Sequence, residues 1–133
     1  MISGYAPEVF DDSRGKLVVF ELPSNFKAKR IYYIKHVATG ASRGGHAHMK
    51  LKQFFVVIQG SMTLRISDGF SWEAVCLSDK SSGIFLGQGL WRELTEFSPD
   101  CICLVLASDN YDPNDYIRNW DNFVQWRQSL AKC

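Results

Sequence analysis

The chain has 133 residues, 46% of them hydrophobic and 22% charged, and carries a net charge of +1. That length supports one ordinary core and leaves no room for a second catalytic domain. The longest basic grouping is Lys27, Lys29 and Arg30, which excludes the broad positive surface of a nucleic-acid binder.

Eight strands are predicted from runs rich in Val, Ile, Phe, Leu and Tyr separated by Gly, Ser, Asp and Asn clusters. In chain order they are Lys16 to Glu21, Arg30 to Val37, Gln53 to Ile58, Met62 to Ser67, Trp72 to Leu77, Gly83 to Leu86, Trp91 to Phe97 and Cys101 to Ala107. The pattern is that of an all-β sandwich or barrel. Asp68-Gly69 is the strongest hairpin signal, read as a type I′ turn. After Asp112-Pro113, an N-cap followed by proline at the first helical position, Ile117, Trp120, Phe123, Val124 and Trp126 recur at helical spacing, so short helices are expected to close the chain. Cys101 and Cys103 stand at i and i+2 of a strand and are expected to be small buried hydrophobes, with Cys76 in a strand and Cys133 frayed. No stretch approaches the length of a membrane span, and Met1 to Tyr5 is not a charged region leading into an apolar run. A cytoplasmic protein with no membrane partner is expected.

Gly40, His46, His48, Gln53 and Gly60 have the spacing of the first cupin motif, which normally brings metal ligands into a β-barrel. Two ligand positions are changed. The usual Glu is Gln53, and where a third His should follow the Gly87-Gln88-Gly89 turn the chain reads Trp91-Arg92-Glu93. A divalent metal needs three or four imidazole or carboxylate donors and Arg cannot ligate, so no metal is expected. His46 and His48, at i and i+2, project to one face and are left for acid/base work. His36 is given no catalytic role.

The segments RGGHAHMKLKQ (43–53), RIYYI (30–34), GSMTLRISDG (60–69), LWREL (90–94) and above all LASDNYDPNDYIRNWDNF (106–123) resemble the sugar-nucleotide 3,4-ketoisomerases. The similarity runs over nearly the whole chain. It implies a single-domain cupin, a jelly-roll β-barrel over about 14–108 with a helical tail over about 112–131, related in fold to the deoxysugar 3,5-epimerases. It also implies a homodimer that needs no metal or organic cofactor and acts on thymidine-diphosphate (dTDP) 4-keto-6-deoxyglucose, within deoxy-amino-sugar and surface polysaccharide synthesis. Arg at position 92, which family members fill with Arg or His, implies a product of gluco configuration.

The reaction moves a ketone from C4 to C3. It needs a base for the C3 proton, stabilisation of an enediolate and a proton donor to C4. An unperturbed imidazole, near ~6.5, suits a group that takes and gives protons at neutral pH. The family motif makes His46 the general base and His48 its partner. Tyr32 is a candidate proton donor, while Tyr33, on the opposite face of its strand, is expected to be core. Arg14 and Arg43, the latter beside Gly44-Gly45, are candidate diphosphate contacts because a guanidinium matches phosphate oxygens bidentately. Gln53 is expected to hydrogen-bond the sugar, Trp91 to stack on a ring or fill the barrel, and Arg92 to steady the enediolate. Asp112, Asp115 and Arg118 are read as capping and packing residues. Two other functions fit the same motif: a 3,5-epimerase on the same nucleotide sugar, whose longer chains pair one His with an Asp and a Tyr, and a non-catalytic sugar-binding cupin.

Overall fold

The computed structural model describes residues 1–132, so the expectation for Cys133 lies outside the described residues. Its strands are β1 (Ser3–Tyr5), β2 (Glu8–Asp12), β3 (Gly15–Val19), β4 (Arg30–Lys35), β5 (Arg43–His48) and β6 (Gln53–Gln59). They continue as β7 (Ser61–Ser67), β8 (Trp72–Ser78), β9 (Gly83–Leu86), β10 (Trp91–Thr95), β11 (Ile102–Ala107) and β12 (Tyr116–Ile117), before helix α1 (Trp120–Ala131). Two five-stranded sheets face each other in a jelly-roll arrangement that is not closed into a barrel. One has the order β1-β9-β6-β11-β4 and the other β12-β5-β10-β7-β8, while β2 and β3 form a separate ribbon.

Alternation places the core. Phe55 and Val57 of β6, Leu64 and Ile66 of β7, and Cys103 and Val105 of β11 point between the sheets into one buried cluster. Burying each such Phe, Leu, Ile or Val side chain is worth about 1.5–3 kcal/mol. The intervening residues Phe54, Val56, Leu104 and Leu106 are apolar too and make a second cluster on the outer face of the first sheet. A third cluster, Ala47, Trp91 and Phe123 with Ile117, Trp120 and Trp126, joins the outer face of the second sheet to α1. Cys101 and Cys103 are buried free thiols as expected, and burial pushes Cys103 up to about 12.

Four expectations change. The Asp68-Gly69 hairpin joins β7 to β8, but Ser67 pairs with Trp72, so the loop has four residues rather than two. Asp68 Oδ1 accepts from the N–H of Phe70 and of Ser71, an Asx-type turn that outcompetes the I′ geometry. In the tail, Asp112 does cap a turn with Pro at its start, but that turn is a three-residue 3-10 helix, and Ile117 belongs to β12. The α-helix begins only at Trp120, capped by Asn119. Tyr33 is 61% exposed rather than core, because β4 is an edge strand whose outer face has no layer over it.

Candidate active site

A cavity of about 480 Å³ lies between the sheets, walled by β4, β5, β6, β10 and β12. Strand period selects what enters it. Arg30, Tyr32 and Ile34 alternate inward along β4, as do Gln53 and Phe55 on β6 and Arg92 and Leu94 on β10. Gly44 and Gly45 set the phase of β5. The ladder pairs Arg92 with His46 and Glu93 with Gly44, so Gly45 is the extra residue of a β-bulge, and cross-strand partners share a face. Both glycines have positive φ, and a Cβ on Gly44 would stand 2.9 Å from the Arg92 carbonyl oxygen. The pair therefore re-aims His46 into the cavity beside Arg92, a conformational role besides any in anion binding.

Arg92, 1% exposed, donates to the Oε1 of Gln53 and, at 2.8 Å, to the carbonyl of Leu90. Gln53 passes the direction on: its Nε2 donates to the Tyr32 hydroxyl at 2.9 Å. The phenol is thus an acceptor toward Gln53, which leaves its own O–H free to donate toward the cavity. Burial raises the Tyr32 pKa, which keeps that proton in place. The two positions where metal-binding cupins carry ligands are here tied to each other and to a phenol.

The histidines are neutral. Burial, followed by the Arg92 guanidinium, holds His46 at about 4, with the Gly44 backbone working the other way. The same two causes, then His46, press His48 to about 2. Both lie far below the ordinary 6.5. A neutral imidazole is the acceptor form, so the acid limb of kcat/KM, which reports the free enzyme, is expected near pH 4, with activity lost as pH falls through it. A limb at pH 6.5 in a pH-rate profile would contradict this. Because the unfolded chain takes up protons below about 6.5 and these folded rings do not, the fold already loses stability as pH falls from about 6.5 toward 4, before the acid limb is reached.

Of the eight site residues expected from sequence, Tyr32, Arg43, His46, Gln53 and Arg92 line this cavity. His48 sits directly behind, its ring 4.8 Å from that of His46, and walls a neighbouring cavity of about 330 Å³. Two do not belong. Arg14 is at the tip of the β2–β3 ribbon, paired with Asp12 at 2.7 Å with its side chain 88% exposed, outside this cavity. Trp91, one step from Arg92, points to the opposite face and packs on Trp120 and Phe123 against α1. Three cavity residues escaped the sequence reading: Arg30, Tyr116 and Arg118. Tyr116 contacts both histidine rings, at 4.9 and 4.3 Å, and the Arg118 guanidinium lies 4.1 Å over it. Arg118 is therefore a cavity cation rather than a packing residue. A strand signal was there, since Tyr116 and Arg118 at i and i+2 flank the outward Ile117, but the Asp-Pro cap drew the segment into a helix.

Arg30, Arg43, Arg92 and Arg118 line the cavity, no carboxylate does, and among the described residues none of the four is in an ion pair. Such a site selects anions, and forked guanidiniums suit phosphate oxygens. The family model described as FdtA, WxcM-like, C-terminal, matches residues 6–128. The chain is an FdtA-family protein. FdtA-family similarity extends to the TDP-4-oxo-6-deoxy-alpha-D-glucose-3,4-oxoisomerase of Aneurinibacillus thermoaerophilus, 43% identical over 117 residues, 86% of this chain and 84% of that one. Among solved structures, a variant of the 3,4-ketoisomerase QdtA from Thermoanaerobacterium thermosaccharolyticum, in complex with TDP-4-keto-6-deoxyglucose, superposes with a TM-score of 0.89 at 33% identity. The match covers 96% of this chain and 94% of that one. The rmlC epimerase of Mycobacterium tuberculosis, at 20% identity, TM-score 0.74 and coverage of 86% and 66%, shares the fold alone.

Proposed function

We propose that this protein is a metal-independent isomerase that converts dTDP-4-keto-6-deoxyglucose to its 3-keto isomer. The observation that carries the reading is a carboxylate-free cavity in which one neutral imidazole, His46, faces four guanidiniums and a phenol primed to donate. Arg30, Arg43 and Arg118 neutralise the diphosphate. His46 takes the C3 proton, the C3–H electrons move into the C3–C4 bond, and the C4 oxygen takes up the negative charge. The Arg92–Gln53 pair steadies that charge, the proton of the C3 hydroxyl passes to the C4 oxygen, and Tyr32 supplies the proton to C4 as the C3 oxygen becomes the ketone; the imidazolium and the phenolate then return to their resting forms by proton exchange with water. Binding a dianion beside His46 also offsets the guanidinium field that holds its pKa down, so the base strengthens when substrate arrives.

The walls favour the gluco product. In a gluco ring the hydrogens on C3 and C4 lie on opposite faces, so base and donor must stand on opposite sides of the sugar. His46 belongs to one sheet and Tyr32 to the other. Incubation with dTDP-4-keto-6-deoxyglucose in deuterated water, read by NMR, is expected to give a C3 ketone with deuterium at C4, and the same rate after dialysis against a chelator. Exchange at C5 would indicate an epimerase, no exchange a binding protein, and turnover restored only by added metal would overturn metal independence.

The functional unit is proposed to be a homodimer formed through the β2–β3 ribbon, since the N-terminal strand Ser3–Tyr5 is already paired to β9. On the ribbon Phe10 is 53% and Leu17 60% exposed, and the outer face of the first sheet leaves Ile31 62% and Ile58 54% exposed. Exposed apolar side chains on this scale are normally covered. Light scattering is expected to give twice the chain mass at micromolar concentration, falling to a monomer in Phe10→Ser/Leu17→Ser. A wild-type monomer would sink the proposal.

A further inference from the structure

Three buried polar atoms without a hydrogen-bond partner among the described residues sit on two neighbouring rings: Nδ1 of His46 and both nitrogens of His48. Their clustering is informative, since buried donors and acceptors are normally satisfied. The rings meet edge to face with centroids 4.8 Å apart, and His48 Nδ1 lies 3.6 Å from Asp115 Oδ2. Asp115 is held from several sides. Its Oδ1 accepts from the N–H of Lys50 at 2.8 Å, its Oδ2 from that of Leu51 at 3.1 Å, and its backbone carbonyl from that of Met49 at 3.0 Å. The 3-10 turn that ends in Asp115 is thereby clamped to the loop following His48, and β12 extends the clamp by pairing Tyr116 with His48 itself.

The proton count allows one consistent arrangement, in which Asp115 satisfies one of the three atoms and the other two satisfy each other. A carboxylate only accepts, so the His48 nitrogen facing it, Nδ1, must be the one that carries hydrogen. The neutral His48 ring then has its lone pair on Nε2. His46 can satisfy that lone pair only with a proton on its own buried Nδ1, and this leaves the lone pair of His46 on Nε2, the nitrogen open to the cavity. Shortening the Asp115 contact to a normal length needs a movement of roughly 0.6 Å.

We infer that Asp115, His48 and His46 form a relay in which the carboxylate sets the tautomer of both rings and so presents His46 Nε2 as the base. Asp115 is then a positioning residue for the reaction, acting through His48, and the inference rests on the reading of His46 as the group that takes the C3 proton. When Nε2 accepts that proton, the resulting imidazolium donates its Nδ1–H to His48 Nε2, with the carboxylate charge behind it. No charge leaves the relay, and the enediolate remains opposite, beside Arg92. Fixing one tautomer by an acceptor on the far nitrogen is the usual means by which an imidazole is oriented for work at the other.

Long-range proton–nitrogen NMR of the ¹⁵N-labelled wild-type protein at neutral pH tests the tautomers without any assay. Both rings are expected to be neutral with hydrogen on Nδ1, the minority form of a free histidine in water. Hydrogen on Nε2 of either ring overturns the relay. Asp115→Asn is expected to shift both rings toward the Nε2–H form and to lower kcat by about 10–10²-fold with KM held within about twofold. Asp112→Asn, a cap on the same turn that touches neither ring, is expected to leave tautomers and kcat alone. A folded Asp115→Asn protein with wild-type tautomers and kcat refutes the inference. If the substitution prevents folding, the wild-type spectrum decides. The expected tautomers in a protein that turns over no keto sugar would instead refute the isomerase reading and leave the relay standing.

Discussion

His46→Asn is expected to abolish most of the turnover, by about 10²–10⁴-fold, while nucleotide binding and the fold persist. The amide fills much of the space of the imidazole, and the bulge at Gly44 and Gly45 that places the side chain is backbone geometry which the substitution does not touch. What disappears is the acceptor for the C3 proton. Solvent exchange at C3, followed by NMR, separates this from a general loss of binding. A His46→Asn protein that still washes out the C3 hydrogen at the wild-type rate places the base elsewhere. Tyr32→Phe, which removes only a hydroxyl, should leave C3 exchange running while slowing product formation, because the donor to C4 is lost and Gln53 Nε2 loses its acceptor.

The features that sequence disclosed are those governed by local period. All eight predicted strands exist, because alternating or continuous apolar runs bounded by turn residues have few other ways to be buried. The inward set on β4, β5, β6 and β10 follows from one inward residue on each strand, and so Tyr32, His46, Gln53 and Arg92 share one cavity. The same rule, applied one residue further, would have turned Trp91 outward, but without knowing that α1 covers that face there was no reason to prefer it there. Arg14 lies outside this cavity for a different reason: a Ser-Arg-Gly turn records that the chain reverses and carries no signal of where the ribbon then stands. β1, β2, β5 and β12 were missed: β1, β2 and β12 are short or exposed and their pairing is decided by sheet edges far away in sequence, while β5, Arg43-Gly44-Gly45-His46-Ala47-His48, carries no apolar run. The depressed histidines could not have been foreseen either. Their pKa values depend on burial and on Arg92, which reaches His46 only through the ladder between β10 and β5.

Arg92→Met should separate activity from stability more sharply than any other single change. A guanidinium 1% exposed with no carboxylate partner is costly to bury, and its fall from 12.5 to about 10 corresponds to about 3 kcal/mol against the charged form. At neutral pH it is charged nonetheless, so removing it relieves that cost. Removal also orphans Gln53 Oε1 and the Leu90 carbonyl, at about 1–3 kcal/mol each. The two effects oppose one another and are similar in size, so denaturant unfolding is expected to shift by no more than about 2 kcal/mol in either direction. Turnover is expected to fall by about 10²–10³-fold, since a preorganised cation beside the developing enediolate is gone. A second consequence has the opposite sign. Arg92 is the largest cause after burial of the low His46 pKa, so the acid limb of kcat/KM should move upward from near pH 4 toward 6.5 in the residual activity. Unchanged turnover would remove Arg92 from the chemistry, and an unmoved acid limb would mean that its field does not reach His46.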